Sequence, residues 1–113
     1  MSVLIIGYQR AKEIEEVISN VSKFQPKKLY IAMDGPKDNT NKKLCENARI
    51  AAINSVNWDC NLFTLFSDFN HGAGKFILFA IDWFFKEETE GLILEDDVLI
   101  HDQFYKFAIQ KKP

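Results

Sequence analysis

Short apolar runs alternating with amphipathic segments of about a dozen residues predict an α/β fold, with right-handed βαβ crossovers building a parallel sheet covered by helices on both faces. Three observations carry this. Val3-Leu4-Ile5-Ile6 is a continuous apolar run, the pattern of a strand buried on both sides. Directly after it, Ile14, Val17, Ile18 and Val21 recur at helical spacing. Later, the longest helical stripe of the chain, at 73, 76, 77, 80, 81, 84 and 85, runs into a second apolar run, Gly91 to Leu94.

The first strand is closed by Gly7. The first helix, from about Lys12 to Ser22, carries Glu13, Glu15 and Glu16 in its early turns, where acids suit the helix dipole, and Pro26 follows it. Lys28 to Met33 contains the second strand, ended by the turn Asp34-Gly35-Pro36. Thr40 or Asn41 can cap a second helix whose inner stripe is Leu44, Ala48, Ala51 and Ala52, a small face suited to close packing. Trp58 to Phe66 is the third strand; Asp59 and Asn61 alternate with Cys60 and Leu62 at its start, which suits an edge position. Asn70-His71-Gly72-Ala73-Gly74-Lys75 leads into the third helix, whose apolar positions predict deep packing. Gly91 to Leu94 forms the fourth strand, and Asp102 can cap a final helix with Phe104, Phe107 and Ala108 inward. If the first three strands run outward and the fourth returns beside the first, the strand order is 3-2-1-4 and the topology is Rossmann-like.

With 113 residues, 47% hydrophobic and 13% aromatic, the chain has the material for one globular domain with its own core. A net charge of -2 argues against a broad nucleic-acid surface and offers no polybasic membrane anchor, so an anionic ligand has to be held by a few residues and a metal. Cys45 and Cys60 have no CxxC spacing, which excludes a zinc site or a disulfide framework and predicts reduced thiols. The apolar run at Val3 to Ile6 is too short for a signal peptide, and Asp82 interrupts the run from Phe76 to Phe85; a soluble, cytoplasmic protein is expected.

The chemistry concentrates at Gly91-Leu92-Ile93-Leu94-Glu95-Asp96-Asp97-Val98, where a buried strand runs straight into three consecutive carboxylates. Adjacent acids repel one another and call for a compensating cation. In strand geometry Glu95 and Asp97 share one face and Asp96 takes the other, giving two hard oxygen ligands with open positions for water and phosphate, a pattern suited to Mg²⁺ or Mn²⁺. The plainer reading is that these acids are solvated and simply end the strand. Ligands of such sheets sit beyond the carboxyl ends of the strands, where strand order reverses, and order 3-2-1-4 brings the acids beside the loop Gly7-Tyr8-Gln9-Arg10. There Arg10 can clamp a phosphate and Tyr8 can stack on a base, or Arg10 is an exposed residue at a helix entry. Gly72 and Gly74 let backbone N–H groups approach a ligand at a helix N-terminus and Lys75 adds a charge, or the glycines merely shape a turn, since the segment matches neither a Walker A loop nor GxGxxG. Asp34 accepts from a base N–H or opens its own turn; a lone His71 in a loop is more often solvated than a ligand or base. Glu95 and Asp97 as a general acid and base are poorly spaced to flank one scissile bond.

Taken together, an opening strand ending near an Arg, an Asp-Gly after the second strand, a Gly-rich entry to an apolar helix and Leu-Glu-Asp-Asp-Val resemble nucleotide-sugar glycosyltransferases of the GT-A type. The segment Glu-Asp-Asp-Val-Leu-Ile-His-Asp-Gln-Phe-Tyr is similar to the Glu-Asp-Asp form of the DxD motif in N-acetylglucosaminyltransferase-like enzymes and their bacterial relatives, as is Gly-Ala-Gly-Lys followed by Ala-Ile-Asp-Trp-Phe-Phe. The resemblance spans essentially the whole chain and is most specific from Ile81 to Val98.

What the resemblance implies is a nucleotide-diphospho-sugar transferase fold that binds a UDP-linked sugar with Mn²⁺ or Mg²⁺. Asp97 is then the direct metal ligand, with Glu95 and Asp96 supporting it through water or the ribose. Arg10 faces the diphosphate, Asp34 and the Gly7-Tyr8 backbone surround the uracil, and Gly74 and Lys75 meet the nucleotide from the far side. Lys75 stands where an Arg is expected, which loses bidentate geometry. In such enzymes the half after the DxD motif binds the acceptor and, in inverting members, supplies the catalytic base. The chain stops at Lys111-Lys112-Pro113, so residues 1–113 are expected to be a donor-binding part without the acceptor half, binding nucleotide and transferring little, with no catalytic residue of its own. Two other readings stand beside it. One is a non-catalytic Rossmann-like module that self-associates through the surface its missing half once covered. The other is a metal-dependent phosphohydrolase, which lacks an Asp-x-Asp pair at the first strand, where Gly7-Tyr8 stands.

Overall fold

The structure is a computed structural model. It describes residues 1–96 and the backbone of residues 106–109. Among the described residues three helices and five strands follow in the order β1 (Val3–Gly7), α1 (Ala11–Ser22), β2 (Lys28–Met33), α2 (Lys42–Ser55), β3 (Asn61–Phe66), α3 (Ala73–Phe85), β4 (Glu90–Glu95) and β5 (Lys106–Ile109). The sheet order is β3-β2-β1-β4-β5. Strands β1 to β4 are parallel and reproduce the expected 3-2-1-4 order, a Rossmann-like arrangement.

Alternation along the strands divides the core into two layers. Val3 and Ile5 on β1, Leu29, Ile31 and Met33 on β2, and Leu94 on β4 face α1 and α2. Their partners are Ile14, Val17, Ile18 and Val21 of α1 and Ala48, Ala51 and Ala52 of α2. The other face, with Leu4, Ile6, Tyr30, Ala32 and Ile93, packs on Phe76, Ala80 and Phe84 of α3. Both faces are apolar because both are covered, which is why β1 and β2 carry continuous hydrophobic runs.

Four local expectations are corrected. The inner stripe of α2 is Cys45, Ala48, Ala51 and Ala52, whereas Leu44 is 49% exposed; a rotation of one position buries the thinner Cys45 in place of Leu44. On α3 Phe76, Ala80 and Phe84 are buried and Ile77, Ile81 and Phe85 pack beside them partly buried, as the stripe predicts, whereas Ala73 at its start is exposed. Strand β3 begins at Asn61, leaving Trp58 and Cys60 in the preceding loop, and lies at the sheet edge as expected. The backbone of 106–109, which includes Phe107 and Ala108, is a strand and not a helix: it pairs antiparallel with β4, Glu90 opposite Ile109 and Ile93 opposite Lys106. Pairing satisfies the N–H and C=O groups that β4 would otherwise leave open at an edge, and this outweighs local helix preference. Asp102 and Phe104 lie outside the described residues.

At the amino ends of the strands, Glu88 ties three elements together. Its carboxylate accepts from Ser2 Oγ at 2.7 Å, from Tyr30 Oη at 2.6 Å and from Lys28 Nζ at 3.2 Å. Both cysteines are free, and burial pushes their thiols up, Asp59 adding to the effect at Cys60, so neither is a ready nucleophile. No helix among the described residues is long and apolar enough to cross a membrane.

Candidate functional site

The carboxyl ends of β1, β2 and β4 open into a cleft of about 350 Å³, roofed by the start of α3. It lies where the chain switches from building outward through β2 to returning through β4, the usual position of a ligand in this class of sheet. Ile6, Phe76 and Ile77 give it an apolar lining, and Glu95 and Asp96 form the wall on the β4 side. Gly7 and Tyr8 lie on the β1 side, and Asp34 and Lys37 on the β2 side. A larger depression of about 830 Å³ lies at the opposite end of the sheet, beside Glu88. It is the more open of the two and sits at the amino ends of the strands, away from the switch point, so the smaller cleft is the better candidate.

The acidic strand end docks on the first loop as the strand order requires. Glu95 is in register with Ile6, the Asp96 backbone N–H donates to the Ile6 carbonyl at 3.0 Å, and Asp96 Oδ2 accepts from the Tyr8 N–H at 3.3 Å. Glu95 and Asp96 are both partly buried. Asp97 lies outside the described residues, and among those described no cluster of three or more His, Cys, Asp or Glu side chains assembles for a metal. Glu95 and Asp96 offer the cleft carboxylate oxygens, the donor type that Mg²⁺ and Mn²⁺ take.

Asp34 is buried and holds the neighbouring loop. Oδ1 accepts from Gly35 N at 2.8 Å and His71 N at 3.0 Å, and Oδ2 accepts from Asn70 Nδ2 at 3.2 Å. Asn70 also donates to the Gly35 carbonyl at 2.9 Å. A side chain on Gly35 would come within 2.5 Å of the Phe69 backbone, so only glycine lets the two loops close. Arg49 fastens the same corner from α2, donating to the Ser67 carbonyl at 2.5 Å while its guanidinium lies over Phe66. His71 is stacked between Phe69 and Phe79, with ring centroids at 4.7 and 5.1 Å, and is thus an integral part of the loop packing.

Of the residues singled out from the sequence, Gly7, Tyr8, Asp34, Glu95 and Asp96 meet around this cleft. Arg10 is exposed at the entry to α1, and neither it nor Gly74 and Lys75 on the first turn of α3 lines the cleft. Gly72 does line it, with φ of 89° that glycine adopts without strain, and a Cβ at Gly74 would meet nothing within 4 Å. Sequence reading missed Asn41, named only as a helix cap. Its Oδ1 accepts from Lys37 N at 3.1 Å and its Nδ2 donates to Gln9 Oε1 at 3.0 Å and to the Tyr8 hydroxyl. The signal was present in an Asn just past an Asp-Gly-Pro turn, a residue type that bonds nearby backbone readily. Comparison of the chain with protein-family models, curated proteins and solved structures found no match.

Proposed function

We propose that this chain is the donor-binding part of a metal-dependent glycosyltransferase of the GT-A type, holding a nucleoside diphosphate sugar, UDP-linked, with Mn²⁺ or Mg²⁺. The reading is carried by one observation: the Glu95-Asp96 end of β4 lines a cleft at the switch point of the sheet, against the Gly7-Tyr8 loop. The Glu-Asp-Asp-Val motif adds the chemical class. By the motif Asp97 would be the direct metal ligand with Glu95 in support, and Asp96, already joined to the Tyr8 N–H, holds the first loop on the ribose side. The Gly7-Tyr8 segment and the loop fastened by Asp34 enclose the base. A bound divalent cation supplies Lewis-acid stabilisation of the departing diphosphate.

Calorimetric titration of UDP with Mn²⁺, and again with EDTA, tests the reading. Metal-dependent binding that disappears in Asp97→Ala is the expected result. If no nucleoside diphosphate binds in either condition, the proposal fails. Self-association would then lead, with the open edge of β3 and the exposed Phe69, Leu78 and Phe79 as its surface.

A further inference from the structure

We infer that Lys37 is the residue that binds the phosphate tail of the ligand in this cleft, taking the part that its motifs assign to Arg10 and Lys75; the inference rests on the nucleotide reading above. The charges around the cleft are unequal. Glu95 and Asp96 are acids on the β4 wall, and the Asp34 carboxylate is engaged by three donors. Lys37 is the one cation among the described residues that line the space, whereas Arg10 and Lys75 lie outside it. A polyanionic ligand beside two carboxylates needs positive charge on both flanks: a divalent ion on the acidic side and a fixed cation on the other.

The backbone at Lys37 is anchored beside the cleft. Pro36 sets the exit from β2, and Asn41 Oδ1 accepts from both Lys37 N at 3.1 Å and Asp38 N at 3.4 Å. The same Asn41 reaches Gln9 and Tyr8, so one side chain holds the loops on both sides of the cleft. A four-carbon stem leaving an anchored backbone loses less freedom on binding than one leaving a mobile loop. Lys37 forms no ion pair among the described residues, although it lies in the field of its sequence neighbour Asp38.

Spacing also fits. Strands β2 and β4 flank β1, so their ends lie about 10 Å apart at the usual strand separation. Between them β1 ends in Gly7, which lines the cleft with its backbone and whose missing side chain would point to Ile14 and Met33. Lys37 follows four residues after the end of β2, so a diphosphate laid across the end of β1 has the acids on one flank and the Lys37 loop on the other.

Titration of UDP and of inorganic pyrophosphate in Mn²⁺ against the wild type and Lys37→Gln, Lys37→Arg, Arg10→Gln and Lys75→Gln tests the assignment. The expected result is a loss of roughly tenfold or more for both probes in Lys37→Gln, recovery of most of it in Lys37→Arg, and changes within about twofold in the other two variants. Unchanged affinity in Lys37→Gln, or an equal loss in Lys75→Gln or Arg10→Gln, overturns the role of Lys37 and leaves the donor-site reading standing. A wild-type protein that binds neither probe overturns both. Lys37 is exposed, so its replacement leaves the core intact, and an unchanged circular dichroism spectrum serves as the control.

Discussion

Asp34 joins the loop after β2 to the loop after β3 beside the cleft. Its two oxygens take three donors, two of them backbone N–H groups from different loops. In Asp34→Asn one oxygen becomes an amide that turns donors toward the Asn70 donor, leaving at least one buried group without a partner. We expect a loss of about 1–3 kcal/mol in urea unfolding, larger than the effect of replacing an exposed acid. That Asp-Gly-Pro forms a turn was legible from residue types alone. That Asp34 reaches across to residues 70 and 71 was not, because the bond joins positions 36 and 37 apart in sequence and no local pattern encodes it.

At the level of elements, small residues decide how α1 and α2 meet. Ala48 and Ala52 are completely buried and Ala51 nearly so, in the layer formed with the inner stripe of α1. Enlarging such a face forces the helices apart. Ala48→Leu should therefore destabilise the protein by about 1–3 kcal/mol, whereas Leu44→Ala, on the exposed side, should stay within about 0.5 kcal/mol in the same urea titration. This pair of variants separates the observed helix orientation from the one expected from hydrophobicity, in which Leu44 points inward. Helical periodicity places the stripe to within about one residue, and here alanines on adjacent positions leave that choice to tertiary packing. The same limit explains β5. Phe107 and Ala108 suit a helix or a strand locally, and the open edge of β4, invisible in a linear reading, decides for the strand. The parallel order of β1 to β4, by contrast, was readable because continuous apolar runs and crossover helices leave few alternatives.

For the molecule as a whole, stability against pH follows from the Glu88 clasp. Burial works to raise the Glu88 carboxyl, but hydrogen bonds from Tyr30, Ser2 and Lys28, with the Lys28 charge, outweigh it and hold the group below its ordinary range. Burial, the hydrogen bond to Glu88 and the charges of Glu88 and Glu87 push the Tyr30 phenol upward. Glu88 is more readily ionised when folded, so its contribution is complete above the unfolded value of about 4.3 and is lost as pH falls through the folded one. Tyr30 is less readily ionised when folded, so its contribution is complete below about 10 and is lost as pH rises beyond it. Thermal midpoints measured across pH should show a plateau between these limits. Glu88→Gln should flatten the acid limb and Tyr30→Phe the alkaline one.

The clasp and the cleft occupy opposite ends of strands that are five or six residues long, a separation of about 17–20 Å. Substitutions so far apart add without interfering. The loops at one end can be exchanged, shortened or re-charged to hold a different molecule while Ser2, Lys28, Tyr30 and Glu88 go on joining β1, β2 and the approach to β4 at the other. The architecture thus separates what must stay constant in the chain from what is free to diversify.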